Sequence, residues 1–311
     1  MDGSVIGINA GGTRTVCLRA DAGGRILREW RGAGANLQSE GDAGIERVLR
    51  DGIRTVMDGA AAPAALCVGM AGVDRADDFA AVRAVLDRIV PDSRIVIVND
   101  ALIALEAGAP GAAGSVLIAG TGSIAYGRDT AGRAARAGGW GYVLGDEGSG
   151  YWLGRQALRS VVRGADGRGP RTALARLVLD HYGLSSPTEL VRQMSGQGAR
   201  PAAVAGLAPL VALAADDGDA VALHLVDAAA QELAGAVESV IRRLDLGTSP
   251  MLLTGGVLAG FERLRTQVTT AIRARVPDVE PVLLREEPAT GAVRLASQEL
   301  AGQLRLPTYA D

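Results

Sequence analysis

The chain has 311 residues, 48% hydrophobic but only 3% aromatic, so it exceeds one ordinary domain and must fill its core with Ala, Val, Leu and Ile. The formal net charge is −3, no basic run occurs and Lys is absent, which argues against nucleic-acid or anionic-membrane binding and rules out a Walker-A ATPase. No apolar run reaches about 18 residues and a strand signal begins at Val5, so neither a transmembrane helix nor a signal peptide is expected; two cysteines and two histidines point away from a disulfide framework or zinc site and toward buried thiols in a reducing cytoplasm.

Val5–Ile8 reads as a short buried strand, followed by a glycine turn at Gly11-Gly12, a second strand near Thr15–Ala20, a hairpin at Ala22-Gly23-Gly24 and a third strand, Ile26–Arg31. Ile45, Val48, Leu49, Gly52, Ile53 and Val56 recur at helical spacing. Leu66–Gly69 is a fourth strand, Asp77 to about Ile89 a helix and Ile95–Val98 a fifth strand. Three strands, helix, strand, helix, strand predicts a mixed α/β sheet covered by helices.

The pattern then restarts. Ser115–Ala119, Ser123–Arg128 and Arg133–Ala137 are three strands, with Thr130-Ala131-Gly132 at a hairpin tip. A mostly helical block runs from Glu147 to Leu246, with glycine-rich loops expected at Gly164–Gly169 and Ser195–Ala199. In its clearest helix Leu225, Ala229, Leu233, Val237 and Ile241 recur every four residues, and Arg242, Arg243 and Gly247 read as the stop. Met251–Thr254 and Val282–Leu284 are further strands, and a helix starts near Ala289. The recurrence predicts a duplicated fold with a cleft between the halves: residues 1–110 as one lobe, 111–294 as the other with a helical insertion, and a helix at about 295–311 packing back on the first.

Several polar residues fall at strand ends, where α/β folds place chemistry. Asn9-Ala10-Gly11-Gly12-Thr13 and Gly120-Thr121-Gly122-Ser123 each read as a hairpin turn or as a phosphate cradle; the device occurring at equivalent places in both halves favours the cradle. Asp100 follows a strand and opens an apolar helix, so it is a first-turn carboxylate or a general base that takes a proton from an attacking hydroxyl. In the run Gly138-Gly139-Trp140-Gly141-Tyr142-Val143-Leu144-Gly145-Asp146-Glu147-Gly148, Asp146 suits a sugar diol, Glu147 suits helix capping, and Trp140 and Tyr142 suit anchoring of the loop more than stacking on a sugar. Thr254-Gly255-Gly256-Val257 suits either close approach to a nucleoside or plain helix entry, and Pro288–Ala292 reads as a helix start or as a border of the nucleotide; Gly34-Ala35-Asn36 offers an amide to a polar ligand or is an ordinary turn, and Met70-Ala71-Gly72-Val73-Asp74 follows the fourth strand and faces the same cleft edge.

Together these motifs resemble the N-acetylglucosamine kinase and BadF/BadG ATPase family of the actin-like ATPase superfamily, over nearly the whole chain and in the right order. The Gly-Gly-Trp-Gly and Gly-Asp-Glu-Gly-Ser stretch carries most of the specificity. The resemblance implies an α/β protein of two ribonuclease-H-like lobes with an interdomain cleft, in which ATP, Mg²⁺ and a small sugar meet. It implies Asp100 as the catalytic base and Asn36, Gly72, Asp74, Asn99, Gly139 and Asp146 around the sugar. It further implies Gly11, Gly12, Thr13, Gly120, Thr121, Gly122 and Ser123 around the phosphates, and Gly255 and Gly256 beside the adenosine. The family carries an acidic residue where this chain has Asn9. That carboxylate helps hold Mg²⁺ through water; Asn keeps the oxygen and loses the charge, so weaker metal binding or slower turnover is expected.

The leading expectation is phosphorylation of N-acetylglucosamine at its 6-hydroxyl by a cytoplasmic homodimer. Glucosamine, glucose and N-acetylmuramic acid remain open as substrates. Two other classes compete: an ATP-driven activator holding an iron–sulfur cluster through cysteines, disfavoured by Cys17 and Cys67 lying inside strands, and a sugar sensor without turnover, motivated by Asn9.

Overall fold

The structure, a computed structural model, describes residues 3–309 except Asp74. Its first half is a sheet built from β1 (Val5–Ala10), β2 (Arg14–Ala20), β3 (Ile26–Ala33), β4 (Ala65–Met70) and β5 (Arg94–Asn99), with α1 (Leu37–Met57), α2 (Ala76–Ile89) and α3 (Asp100–Gly108) between and after the last strands. The spatial order is β3-β2-β1-β4-β5, with β1 antiparallel to β2 and parallel to β4. The predicted amphipathic helix is the part of α1 beyond Gly41, where φ of +64° breaks the helical path.

The second half repeats this plan. β6 (Gly114–Ala119), β7 (Ser123–Arg128) and β8 (Arg133–Gly138) are followed by α4 (Gly150–Ala165), α5 (Leu174–Tyr182), α6 (Leu190–Met194), α7 (Pro201–Ala205), α8 (Ala208–Asp216) and α9 (Ala220–Leu244). Then come β9 (Met251–Thr254), α10 (Gly256–Gly260), α11 (Glu262–Arg275), β10 (Pro281–Leu283), α12 (Ala289–Leu300) and β11 (Thr308–Tyr309). The order β10-β9-β6-β7-β8-β11 mirrors the first sheet with one short strand added at an edge. Two copies of one topology make this a two-lobed, ribonuclease-H-like α/β protein.

Alternation along the strands builds five layers. Ile6, Ile8, Ala10 and Cys17 face α1 and α2 on the outside, whereas Val5, Val16, Cys67 and Val98 face inward. Inward residues of the second sheet, Val116, Ile124, Tyr126 and Leu252, join the same central core, and α3 and α12 fill the space between the sheets. The outer face of the second sheet packs on α4, α8, α9 and α11. Although α9 is long and apolar enough to cross a membrane by composition, its Leu225, Leu233, Val237 and Val240 lie in this outer core.

The two central helices touch nearly backbone to backbone. A Cβ on Gly291 of α12 would lie 2.0 Å from the carbonyl oxygen of Ile103 in α3, and one on Gly7 of β1 would lie 2.5 Å from that of Ala289. Gly291→Ala is therefore expected to force the helices apart and to lower stability by about 1–3 kcal/mol, checked by denaturant titration against the unaltered protein.

Several sequence expectations need correction here. α9 stops at Asp245, whose left-handed φ of 50° caps the helix two residues before Gly247. Gly164 continues α4, and residues 197–199 form a short 3₁₀ turn, so neither glycine-rich segment is wholly a loop. The helix expected at about 295–311 is α12, which begins at Ala289 and ends at Leu300. It packs along β1, β2, β4 and β5. The tail then leaves the first sheet, and β11 pairs in parallel with β8 while Tyr309 meets Tyr126 edge-on at 6.3 Å.

Candidate active site

Strand register brings the candidate residues of the first lobe to one sheet edge. Ala10 of β1 lies beside Met70 of β4, and Met70 beside Asn99 of β5. The turn Gly11–Thr13, the stretch Ala71–Gly72 and Asp100 therefore emerge together at the C-terminal ends of parallel strands, where the backbone turns away from the sheet and leaves a crevice. Ala35 donates its amide to the Gly11 carbonyl at 3.0 Å, which fixes Gly34–Asn36 against the first turn. Asp74 lies outside the described residues.

Asp100 and Asn99 divide their tasks. The Asn99 side chain accepts the Ala101 amide at 2.8 Å and caps α3, while Asp100 is the first helical residue. Capping thus falls to Asn99, and Asp100 sits in the first turn, where the helix dipole favours a negative charge.

In the second lobe Ala119 lies beside Ser123 and Ile118 beside Thr254, so Gly120–Gly122 and Gly255-Gly256 share an edge. Gly255 has φ of +97°, and a Cβ there would lie 2.3 Å from the Ala119 carbonyl oxygen, so no other residue fits. Gly150 and Tyr151, at the start of α4, donate amides to the carbonyls of Gly120 and Thr121 at 2.8 and 3.1 Å. Ser149, rather than Glu147, caps this helix. Glu147 uses its carbonyl to accept the Ser123 hydroxyl at 2.8 Å.

The two edges meet. The hydroxyls of Thr13 and Thr121 are 2.6 Å apart, so the two lobes touch with one glycine turn on each side. Amides of two glycine turns and two hydroxyls facing one another are what a polyphosphate needs from a protein that has no Lys.

Asp146 is drawn into this second turn. It is buried, adopts a left-handed φ of 62°, and one carboxylate oxygen accepts the Ser123 amide at 3.2 Å. Burial pushes its carboxyl up to about 6; the Ser123 amide opposes this and the neighbouring Glu147 charge adds to it. The ionised form is therefore less welcome in the fold than in the unfolded chain, so this group's contribution to stability falls as pH rises from 3.8 to about 6 and is flat above. Asp146→Asn is expected to raise the melting temperature above pH 6, with the gain vanishing below pH 4, read by thermal scans across pH.

Gly139 donates its amide to the Ser123 carbonyl at 2.9 Å, which ties the start of its loop to the second turn. The loop beyond it stands out from the surface. Trp140 is 60% exposed with the Arg136 guanidinium 5.1 Å from its ring, and Val143 and Leu144 are about three-quarters exposed. Trp140 thus does not anchor the loop by burial; Tyr142, which meets Tyr151 at 5.0 Å, does more of that work.

Asn9 is not alone at the first turn. Its amide nitrogen donates to Glu287 at 3.1 Å, and the other Glu287 oxygen takes Arg31 at 3.3 Å. Nothing in the sequence around Glu287, which lies 278 positions away, announces this contact; only its place just before the Pro288–Ala292 helix start marks it. Among the described residues no cluster of three His, Cys, Asp or Glu side chains is placed to cage a metal. Hard oxygens are nonetheless present in the Asn9 amide, the Glu287 carboxylate and the two threonine hydroxyls, a donor set that fits a Mg²⁺ held chiefly by substrate phosphates and water. Cys17 and Cys67 are buried on opposite faces of the first sheet, with burial raising both thiols, so they cannot jointly hold a cluster shared between subunits.

Known proteins resemble this chain along nearly its whole length. The N-acetylmuramic acid/N-acetylglucosamine kinase of Clostridium acetobutylicum is 33% identical over 301 residues, covering 95% of this chain and 98% of that protein. The N-acetyl-D-glucosamine kinase of Dictyostelium discoideum is also 33% identical, covering 94% of this chain and 97% of its own length. A crystal structure of a candidate N-acetylglucosamine kinase from Chromobacterium violaceum superposes with a TM-score of 0.74 at 27% identity, covering 94% of this chain and 98% of that one. The sequence pattern of one ATPase family spans residues 6–296, and the chain therefore belongs to the BadF/BadG/BcrA/BcrD ATPase family.

Proposed function

We propose that this protein is an ATP-dependent amino-sugar kinase that converts N-acetylglucosamine to N-acetylglucosamine 6-phosphate. The observation that carries the reading is the Thr13–Thr121 contact, which sets two glycine turns face to face at the strand ends where Asp100 emerges. The substrate class is supported by relatives that match along almost the whole chain and are named for that sugar.

In this reading the turns Gly11–Thr13 and Gly120–Ser123 cradle the ATP phosphates, and Gly255-Gly256 approach the adenosine. Asn36, Gly72, Asp74, Asn99, Gly139 and Asp146 surround the sugar. The sugar's 6-oxygen attacks the γ-phosphorus, the bond to the β–γ bridging oxygen breaks, ADP leaves, and the hydroxyl proton passes to the Asp100 carboxylate. A Mg²⁺ bound with the nucleotide would neutralise phosphate charge, and Asn9 and Glu287 are the residues that would help to hold it. Closure of the lobes excludes water, so that the phosphoryl group reaches sugar rather than solvent. Buried, unoxidised Cys17 and Cys67 suit a cytoplasmic setting. A homodimer is part of the reading by family resemblance.

A coupled ADP-release assay with Mg²⁺-ATP against N-acetylglucosamine, N-acetylmuramic acid, glucosamine and glucose tests it. Sugar-dependent ADP with N-acetylglucosamine among the best acceptors is expected. Sugar-independent ADP would replace the kinase with an ATPase activator, and sugar binding without ADP would replace it with a sensor.

A further inference from the structure

The first glycine turn contains no carboxylate of its own. Position 9, the last residue but one of β1 and on the face turned to α12, is Asn, yet a carboxylate reaches it from the other end of the chain. Glu287 lies in the segment entering α12, is only 17% exposed, and accepts the Asn9 amide nitrogen at 3.1 Å. The placement is enforced by packing: Gly7, two residues earlier in β1, lies against the backbone of Ala289 and Val293, so the chain entering α12 must pass beside position 9. The Glu287 backbone is fixed as well, its carbonyl accepting both the amide and the hydroxyl of Thr290 at 2.9 and 2.8 Å.

Two consequences follow from elementary chemistry. An Asn that gives its NH₂ to a carboxylate has its amide oxygen turned away from that carboxylate, so Glu287 sets which atom Asn9 offers elsewhere. An Asp at position 9 beside Glu287 would place two carboxylates at hydrogen-bond distance, where both cannot stay ionised without a large penalty. Asn9 and Glu287 thus form one unit, with the charge on Glu287. Arg31 shares that charge, but it is half exposed and also pairs with Glu29, so it leaves the local field negative rather than cancelling it.

We infer that Glu287 is a positioning residue of the phosphate site: it orients Asn9 and supplies, one residue removed, the negative charge that favours metal-bound over metal-free nucleotide. The inference rests on the reading of the cleft as an ATP site. It predicts a reciprocal exchange, in which the charge can be moved from position 287 to position 9 without loss.

The test measures binding by calorimetry, with ATP alone in EDTA and with Mg²⁺-ATP, for the full chain and for Glu287→Gln, Asn9→Asp and the double variant, each with its melting temperature. Glu287→Gln is expected to weaken Mg²⁺-ATP about tenfold while metal-free ATP binds unchanged or more tightly. Asn9→Asp alone is expected to melt lowest, and the double variant to recover both stability and the preference for Mg²⁺-ATP. If Glu287→Gln weakens both forms of ATP equally, or the double variant keeps the stability but not the preference, Glu287 is a structural clip and the inference is wrong. If the unaltered chain binds neither form, the nucleotide reading itself fails, and the inference falls with it.

Discussion

Asp100→Asn is expected to lower the rate of sugar phosphorylation by about 10²- to 10⁴-fold, the usual worth of a positioned general base. Binding of ATP and of sugar should change far less, because the substitution keeps the size and one oxygen of the side chain. The fold should also survive, since the α3 cap belongs to Asn99 and loss of one first-turn charge at a helix N-terminus costs about 0.3–1 kcal/mol. Comparison of kcat with the two KM values separates these effects: a fall in kcat at nearly constant KM fits a base, whereas a rise in sugar KM at constant kcat makes Asp100 a binding residue only. A variant that retains more than about a tenth of the rate removes Asp100 from the proton transfer altogether.

Arg128→Ala is expected to be among the most destabilising single changes in the protein. Its guanidinium pairs with Glu106, only 1% exposed, at 3.1 Å, and also reaches the carbonyls of Ala109 and Ala112. Glu106 in turn accepts the Gly111 amide, and Arg294 of α12 reaches the carbonyls of Glu106 and Ala107 at 2.6 and 2.7 Å. These bonds pin the segment that carries the chain from α3 into β6. Removing the Arg leaves a buried carboxylate without its partner charge, which costs about 3–5 kcal/mol. Removing both charges costs less, because an apolar pair of similar volume needs no compensation: Glu106→Leu with Arg128→Met is expected to recover much of the loss in a urea titration. If the double replacement is as unstable as the single one, the penalty lies in the lost bonds to Ala109 and Ala112 rather than in the orphaned charge.

The strands and their succession along the chain were readable because apolar alternation and glycine turns are local properties. β1, β2 and β3, then β6, β7 and β8, fall where Val5–Ile8, Thr15–Ala20 and the later runs put them, and the restart of the pattern announced the duplication. Helix ends were less readable. Asp245 takes the left-handed cap that the sequence assigns to Gly247, since Asp is one of the few residues other than Gly that visits that backbone. The work shared by Asn99 and Asp100 could not be divided from sequence, because either residue can cap a helix. The meeting of Thr13 with Thr121 follows from the placement of both lobes, and the contact of Asn9 with Glu287 from the packing of α12 on β1; no local pattern encodes either. The departure of the tail from the first sheet to β8 is of the same kind, a pairing of two residues that carries no periodic signal.

Glu287 also changes how the Asn9 departure is understood. Read alone, Asn9 suggested a weakened or silent enzyme. Beside Glu287 it is one half of a hydrogen-bonded pair in which Glu287 carries the negative charge.

The most direct measurement is mass spectrometry of the products formed from Mg²⁺-ATP and N-acetylglucosamine, with ADP quantified in the same reaction and Asp100→Asn alongside. One sugar monophosphate for each ADP, phosphorylated at the 6-oxygen and lost in the variant, is the result this account predicts. ADP accumulating with unmodified sugar would contradict it, since a cleft that releases phosphate to water without modifying the sugar is not that of a sugar kinase.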